Sequence, residues 1–404
     1  MANRRDFLAA ASAALLWPRE LAAFADRLQQ TSTAQERWDE VRREFLIPPE
    51  RIYLNIGTLG PQPKPVFDAL VEHTRRVAMS LPPSVDWDKL KSTVAAYLNC
   101  DPAGLVFPRN TTEGMNFVAN GLELSAGDEV ITTDHEHIGG LCCWQLVAKR
   151  RGVRLTQVAL PKPPLDPNAA FDAIARSVTP ATRVISVSHV NFTNGLIMPV
   201  RRLIDAYRPR GVIIVVDGAH PPGLMPVDLR ALDPDFYASS PHKWLFAAQG
   251  TGLLYMREEW RTKLWPTLAS GDWDNLELGA QRFNHLGSFD ESRMAALFAA
   301  VEFHNAIGPN RIFARIEELR QRILRNLRED PRIEIVSPTD HHAAGMVSFR
   351  RRDLTSLELQ RKLAAHNVRT RVIGEYDYGW MRLSASVYNT IDEIDRVGEL
   401  IRNV

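Results

Sequence analysis

The sequence is short of cysteine, of one-signed charge and of long apolar runs, and each shortage removes a class of protein. Three cysteines among 404 residues, two of them adjacent (Cys142 and Cys143), do not make a disulfide framework. Positive and negative side chains nearly cancel, 49 Lys plus Arg against 48 Asp plus Glu, leaving a net charge of +1. That balance argues against a surface built on phosphate-backbone contacts, so no nucleic-acid partner is expected, and against an acidic disordered tail. No apolar run reaches the roughly 20 residues of a membrane span, and no fixed period marks a repeat array. No G-x-G-x-x-G follows an apolar run, and G-x-x-x-x-G-K-[ST] does not occur, so dinucleotide and P-loop folds lack their fingerprints. What remains is an ordinary composition, 45% hydrophobic and 24% charged, on a chain long enough for two or three domains.

The N-terminus reads as an address. Asn3-Arg4-Arg5-Asp6-Phe7-Leu8 precedes a short apolar stretch, Ala9 to Trp17, and Ala23-Phe24-Ala25 offers a small-x-small cleavage site. Paired arginines before a short apolar run fit a twin-arginine export signal. The other reading is an amphipathic helix that begins with two arginines. The first reading predicts export of the folded protein to the periplasm, with no stable membrane association once the segment is removed. Residues 1–30 are therefore set aside from the fold.

From Leu105 to Tyr255, short apolar runs alternate with helical patterns. Strands are expected at Leu105–Phe107, Glu129–Thr132, Leu155–Ala159, Val184–Ser188, Val212–Val216, Phe236–Ala238 and Gly252–Tyr255. Helices are expected after Thr112, over Ala169–Ser177 and over Val200–Tyr207. Alternation of this kind predicts an α/β fold, a mostly parallel sheet with helices on both faces. The unbroken Val212-Ile213-Ile214-Val215-Val216 suits a central strand covered on both sides. After about Ser288 the pattern changes to two long helices, short strands and two further helices, which reads as a smaller C-terminal α+β domain. The expected division is 31–60 as a segment on the small domain or cleft, 61–290 as the large domain and 291–404 as the small one.

Three pieces of this pattern carry chemistry. Asp217 follows the all-apolar strand, where a carboxylate is costly without a partner. It either caps the turn Gly218-Ala219-His220 or pairs with a buried cation. Lys243, in Ser239-Ser240-Pro241-His242-Lys243-Trp244, is followed by apolar residues. In such surroundings a lysine loses basicity and becomes a nucleophile fit for a Schiff base; on an exposed loop it would be inert. Ser240 and His242 are phosphate donors or turn residues. Phe107-Pro108-Arg109-Asn110-Thr111-Thr112-Glu113 ends a strand and opens a helix, with Thr111 or Thr112 expected as the cap, and such a helix start is an anion site. A lysine, a carboxylate and a phosphate cradle together suit pyridoxal phosphate.

These stretches resemble the class V aminotransferase family, and most closely its isopenicillin N epimerase-like branch. Tyr53-Leu54-Asn55, Arg109-Asn110-Thr111-Thr112-Glu113, Glu136-His137, Asp217-Gly218-Ala219-His220, Ser240-Pro241-His242-Lys243-Trp244, Gly250-Thr251-Gly252, Arg382-Leu383-Ser384 and Tyr388-Asn389-Thr390 carry the resemblance, in the family's order. It implies a pyridoxal phosphate-dependent transferase fold: a three-layer α/β/α large domain with a smaller α+β domain. It further implies that Lys243 forms the Schiff base and moves protons, and that Asp217 faces the ring nitrogen. Thr111, Thr112, Ser240 and His242 would hold the phosphate, His137 would stack on the ring, and His220 would lie near the ring hydroxyl. Either Asn191 or Thr193 would also contact the ring. Arg382 would clamp the substrate α-carboxylate, with Asn55 beside it. Ser288 would reach a phosphate across the interface of a homodimer.

Other patterns lead elsewhere or nowhere. His135-Glu136-His137 with Cys142-Cys143 fits no common zinc spacing, so no metal is expected. His341-His342 reads as a solvated turn, and Arg350-Arg351-Arg352 as a solvated strand end. The segment from His366 to Arg382 has no cysteine, which argues against the persulfide chemistry of cysteine desulfurases in this fold family. The expected reaction is epimerase or lyase chemistry on an amino acid. Transamination and C–S cleavage of a cysteine conjugate are the alternatives. A protein that only binds the ligand would be marked by loss of Lys243, Asp217 or Arg382, and all three are present.

Overall fold

The computed structural model describes residues 16–81, 85–161, 166–284 and 287–404. Its strands, in chain order, are β1 (Ile52–Tyr53), β2 (Leu105–Val106), β3 (Glu129–Thr133), β4 (Arg154–Val158), β5 (Thr182–Ser188), β6 (Ile213–Asp217), β7 (Phe236–Ser239), β8 (Leu253–Met256), β9 (Ile333–Ile335), β10 (Met346–Arg351), β11 (Val368–Arg369), β12 (Arg371–Ile373) and β13 (Trp380–Ser384). Seven of them form the large sheet in the order β2-β8-β7-β6-β5-β3-β4. Its pairs from β7 to β4 are parallel; β8 runs antiparallel to β7, and β2 antiparallel to β8. Gly252 falls just outside β8, and a Cβ there would lie 2.5 Å from the Asn110 nitrogen.

The central strand shows why an unbroken apolar run is needed. Ile214, Val215 and Val216 are fully buried. Successive side chains point to opposite faces, so Ile214 and Val216 join one apolar core and Val215 the other. Each such burial is worth roughly 1.5–3 kcal/mol. The carboxyl ends of β5, β6 and β7 open on one crevice, the place where sheets of this kind bind ligands.

The smaller unit is a four-stranded antiparallel sheet, β12-β13-β10-β9. Helices Pro309–Arg328, Ser356–Ala365 and Ile391–Asn403 cover it through Leu319, Leu359, Leu363 and Val397. The segment before residue 60 lies against this unit: β1 pairs with β11, and Asn55 bridges to Ser384.

Two boundaries read from the sequence are corrected. Helix Ser292–Ile307, assigned to the small domain, places Met294, Ala296, Leu297, Ala299, Ala300 and Val301 in the core of the large one. Its alanine-rich surface permits close packing against helix Lys64–Ala78. Leu16–Gln29, set aside with the leader, is a helix docked on the body. Phe24 is fully buried and stacks on Phe303 at 4.9 Å, and Arg27 pairs with Glu40 and Glu44 at 2.5 and 2.6 Å. The twin-arginine pair and the start of the apolar stretch lie outside the described residues. Among those described, no helix is long and apolar enough to cross a membrane.

Candidate active site

Lys243 lies on the connection between β7 and β8, at the wall of a cavity of about 260 Å³. The loop is held from several sides. Phe246, just after the lysine, adopts φ +61, a left-handed conformation that costs energy outside glycine. Its buried ring packs edge-on against Phe45 at 5.0 Å, which holds it there. Gly60 donates its N–H to the His242 carbonyl at 2.8 Å. A Cβ on Gly60 would lie 2.0 Å from the Lys243 carbonyl oxygen, so only glycine admits this approach.

Around the amine the hydrogen bonds fix the tautomer of a neutral His220. The Trp244 indole donates to His220 Nδ1 at 3.1 Å, and His220 Nε2 lies 3.3 Å from Lys243 Nζ. A neutral ring whose Nδ1 accepts carries its proton on Nε2. In neutral His220 it is therefore the Nε2–H that faces the lysine amine. Burial, and then the Lys243 charge, hold the His220 pKa well below its ordinary value. Burial also pushes Lys243 down to about 8, with Asp217 acting in the opposite direction.

Of the two readings of Asp217, the turn cap is seen directly. Its Oδ1 accepts the Ala219 N–H at 2.9 Å, which is the turn-capping role. Its Oδ2 faces Gly140, where a Cβ would lie only 2.7 Å away, and the carboxylate lines the cavity. Burial raises its pKa and the Lys243 charge lowers it.

The anion end is built from neutral donors. The cap of helix Thr111–Gly121 is Asn110, whose side chain accepts the Glu113 N–H at 2.9 Å, so the expectation that Thr111 or Thr112 caps is corrected. An extended residue with a short carbonyl-bearing side chain suits the cap, and the threonines become the first helical residues. Thr111 Oγ1 lies 2.7 Å from Ser240 Oγ, and Thr112 and His242 line the same cavity. Buried His242 Nδ1 has no partner, and burial depresses its pKa to about 4. His137 caps the next helix, Ile138–Arg151, accepting the Gly139 N–H at 3.1 Å with its ring turned to the cavity.

The opposite end is cationic. Arg382, on β13, is 1% exposed. It donates to the Phe192 carbonyl at 2.7 Å, Thr58 Oγ1 at 3.2 Å and Asn55 Oδ1 at 3.4 Å, while its Nε has no partner. Burial, and then neighbouring Arg371, push its pKa down to about 9. Asn55 positions this guanidinium from behind and does not line the cavity.

Three expected residues stand apart. Thr193 is turned to His135, Oγ1 to Nδ1 at 2.6 Å, and neither it nor Asn191 lines the cavity. Phe192 between them does. The Asn191 amide is buried with both its atoms unpartnered. Ser288 borders a different cavity, of about 540 Å³, beside Arg293 and Phe289. The His135-Glu136-His137 run is used otherwise than for metal: buried Glu136 accepts the Thr133 and Ser188 hydroxyls, each at 2.6 Å.

Sequence reading missed Gly57, Thr58, Gly139, Gly140 and Arg371, which line the cavity. The Gly139-Gly140 pair at a helix start was a readable sign of close approach. Arg371 became visible only through strand register.

Neutral donors at one end, an amine and a cavity-lining carboxylate in the middle, and an undercompensated guanidinium at the other would fit pyridoxal phosphate bound with an amino acid. The unpartnered His242 Nδ1 and Arg382 Nε and the glycine-lined wall are the structural marks of that fit. Fold and site define a pyridoxal phosphate-dependent enzyme. The chain belongs to the class V aminotransferase family, whose model matches residues 84–397. It is 32% identical to an isopenicillin N epimerase of Streptomyces clavuligerus, over 90% of this chain and 97% of the relative. It is 28% identical to a probable cysteine desulfurase of Pyrococcus abyssi, over 88% and 95% respectively. Among solved structures it is similar to a C-DES mutant with glycine covalently linked to its pyridoxal phosphate cofactor, with a TM-score of 0.80 and 23% identity over 90% of this chain and 99% of that one.

Proposed function

We propose that the enzyme labilises the α-hydrogen of an amino acid and completes an epimerase- or lyase-type reaction. The observation that carries this reading is the half-buried Lys243 amine, 3.3 Å from His220 Nε2 in the cavity that also presents Arg382. Pyridoxal phosphate supplies a ring that accepts electron density from the bond broken at the α-carbon. Asp217 favours a protonated ring nitrogen. Arg382 takes the α-carboxylate through paired charge-assisted hydrogen bonds. Lys243 Nζ, freed for the chemical step, takes the α-proton, and His220 keeps it oriented. Thr111, Thr112, Ser240 and His242 hold the phosphate.

Similarity to isopenicillin N epimerases supports return of the proton as one outcome. The absence of a cysteine between His366 and Arg382 supports the exclusion of desulfurase chemistry. Transamination and β-elimination use the same residues and differ in product. An amino-acid screen in deuterated water separates them, reading α-deuteration, ketoacid, and released sulfide or pyruvate in parallel. Lys243→Ala is expected to lose at least about a thousandfold of any activity found, and borohydride should then trap no cofactor on that peptide. Deuteration in the variant at the wild-type rate would overturn the reading.

The sequence also supports two proposals about setting. One is export of the folded protein by the twin-arginine route. The other is pairing of two copies, for which exposed Trp265, Leu268, Leu276 and Phe289 provide apolar surface.

A further inference from the structure

Arg371 and Arg382 are direct cross-strand partners, one on β12 and one on β13. Residues so paired share a face of the sheet, and like charges in that position repel. Both guanidiniums line the cavity that holds Lys243, where Asp217 is the only lining carboxylate among the described residues. One α-carboxylate on Arg382 leaves Arg371 unanswered from the cavity side. Its present partner is Glu375, four residues on, in a close ion pair. That pair does not exhaust it, because the Arg371 Nε is buried with no partner. Neither member is sealed in: the Arg371 and Glu375 side chains are 32% and 26% exposed. The loop that carries Glu375 is fixed, since Tyr376 donates to the Glu136 carbonyl at 2.6 Å and Tyr378 stacks on Trp380 at 4.1 Å. Glu375 is thus held beside Arg371 by its own loop and exchanges without a large movement of the chain.

We propose that Arg371 is a specificity residue that takes the side-chain carboxylate of an acidic amino acid, and that Glu375 occupies its guanidinium until such a substrate displaces it. The inference rests on the proposed amino-acid chemistry and names its substrate class. A second carboxylate between the two arginines relieves their repulsion, and the planar guanidinium fork suits it better than a lysine would. Glu375 sets a threshold: a neutral side chain gains nothing by entering, whereas a carboxylate replaces one charge-assisted pair with another.

The test is equilibrium binding to the pyridoxal phosphate-loaded enzyme, followed by the cofactor's visible absorbance, with L-glutamate and L-aspartate against L-glutamine and L-asparagine. Wild type should bind at least one acid about tenfold more tightly than its amide, the size of one good charge-assisted contact. Arg371→Gln should bring that ratio close to one, chiefly by weakening the acid. Glu375→Gln should move it the other way, tightening the acid about threefold with the competitor removed. Equal binding of acids and amides by wild type would overturn the inference while leaving the proposed function intact. So would an Arg371→Gln variant weakened equally for both, which would make Arg371 part of the α-carboxylate clamp. If no amino acid changed the absorbance, the proposed function would fall first.

Discussion

Arg282 and Arg382 are buried almost equally, at 2% and 1% exposure, yet their surroundings differ in kind. Arg282 is enclosed by carbonyl oxygens: its Nε donates to Gly279, one terminal nitrogen to Trp273, and the other to Arg261 and Leu264, all at 3.0–3.1 Å. Every nitrogen is used, and the charge ties the 261–282 loops together. Arg382 has one short bond, two long ones, an idle Nε and a second cation across the strand. A buried charge costs several kcal/mol unless it is compensated. Where the chain supplies the compensation, the arginine is scaffold. Where it withholds it, the deficit is left for a ligand.

The comparison can be broken in three ways. Arg382→Gln should lower kcat/KM by about a thousandfold, close to the 4 kcal/mol typical of removing one member of a buried charge pair. The melting temperature of the empty protein should not fall, because an undercompensated charge has been removed. A large loss of melting temperature with kcat/KM retained would reverse the roles assigned to the two arginines. Arg282→Met should cost about 3 kcal/mol in denaturant unfolding, since four carbonyls lose their donor. Its kcat/KM should stay within about twofold of wild type.

The smallest effect is a shift in pH profile. Lys243 reacts as the neutral amine, and its pKa is pushed down to about 8. Capture of pyridoxal phosphate by the empty protein should therefore quicken about tenfold per pH unit up to about 8 and level off above it. Arg382 is one of the charges that lower this pKa. Arg382→Gln should move the profile to higher pH, and Arg282→Met should leave it in place. A shift in the second variant alone would show that the loop around Arg282 reaches the amine.

What was legible in the sequence follows from locality. The central run of the large sheet announces itself, because a parallel strand covered on both faces is apolar without interruption. Lys243, Asp217 and the Asn110–Thr112 turn were legible because each sits where an apolar run stops. Arg371 was not, since a guanidinium on a short strand gains meaning only from the partner opposite, and register across β12 and β13 is a tertiary fact. Phe192 was missed for a similar reason: the loop after β5 matched in composition, while the direction of its side chains depended on contacts with His135 and Ser348. The docking of helix Leu16–Gln29 was not legible, because Phe303, on which Phe24 stacks, lies far along the chain.

That docking bears on handling of the molecule. The Ala23-Phe24-Ala25 bond sequence lies under a fully buried ring, so a peptidase has no extended substrate to grip in the folded protein. Trimming after Ala25 would peel Phe24 from Phe303 and leave an oily scar beside helix Ser292–Ile307. Such bare apolar surface invites self-association, and the shortened molecule should be the less durable of the two on storage.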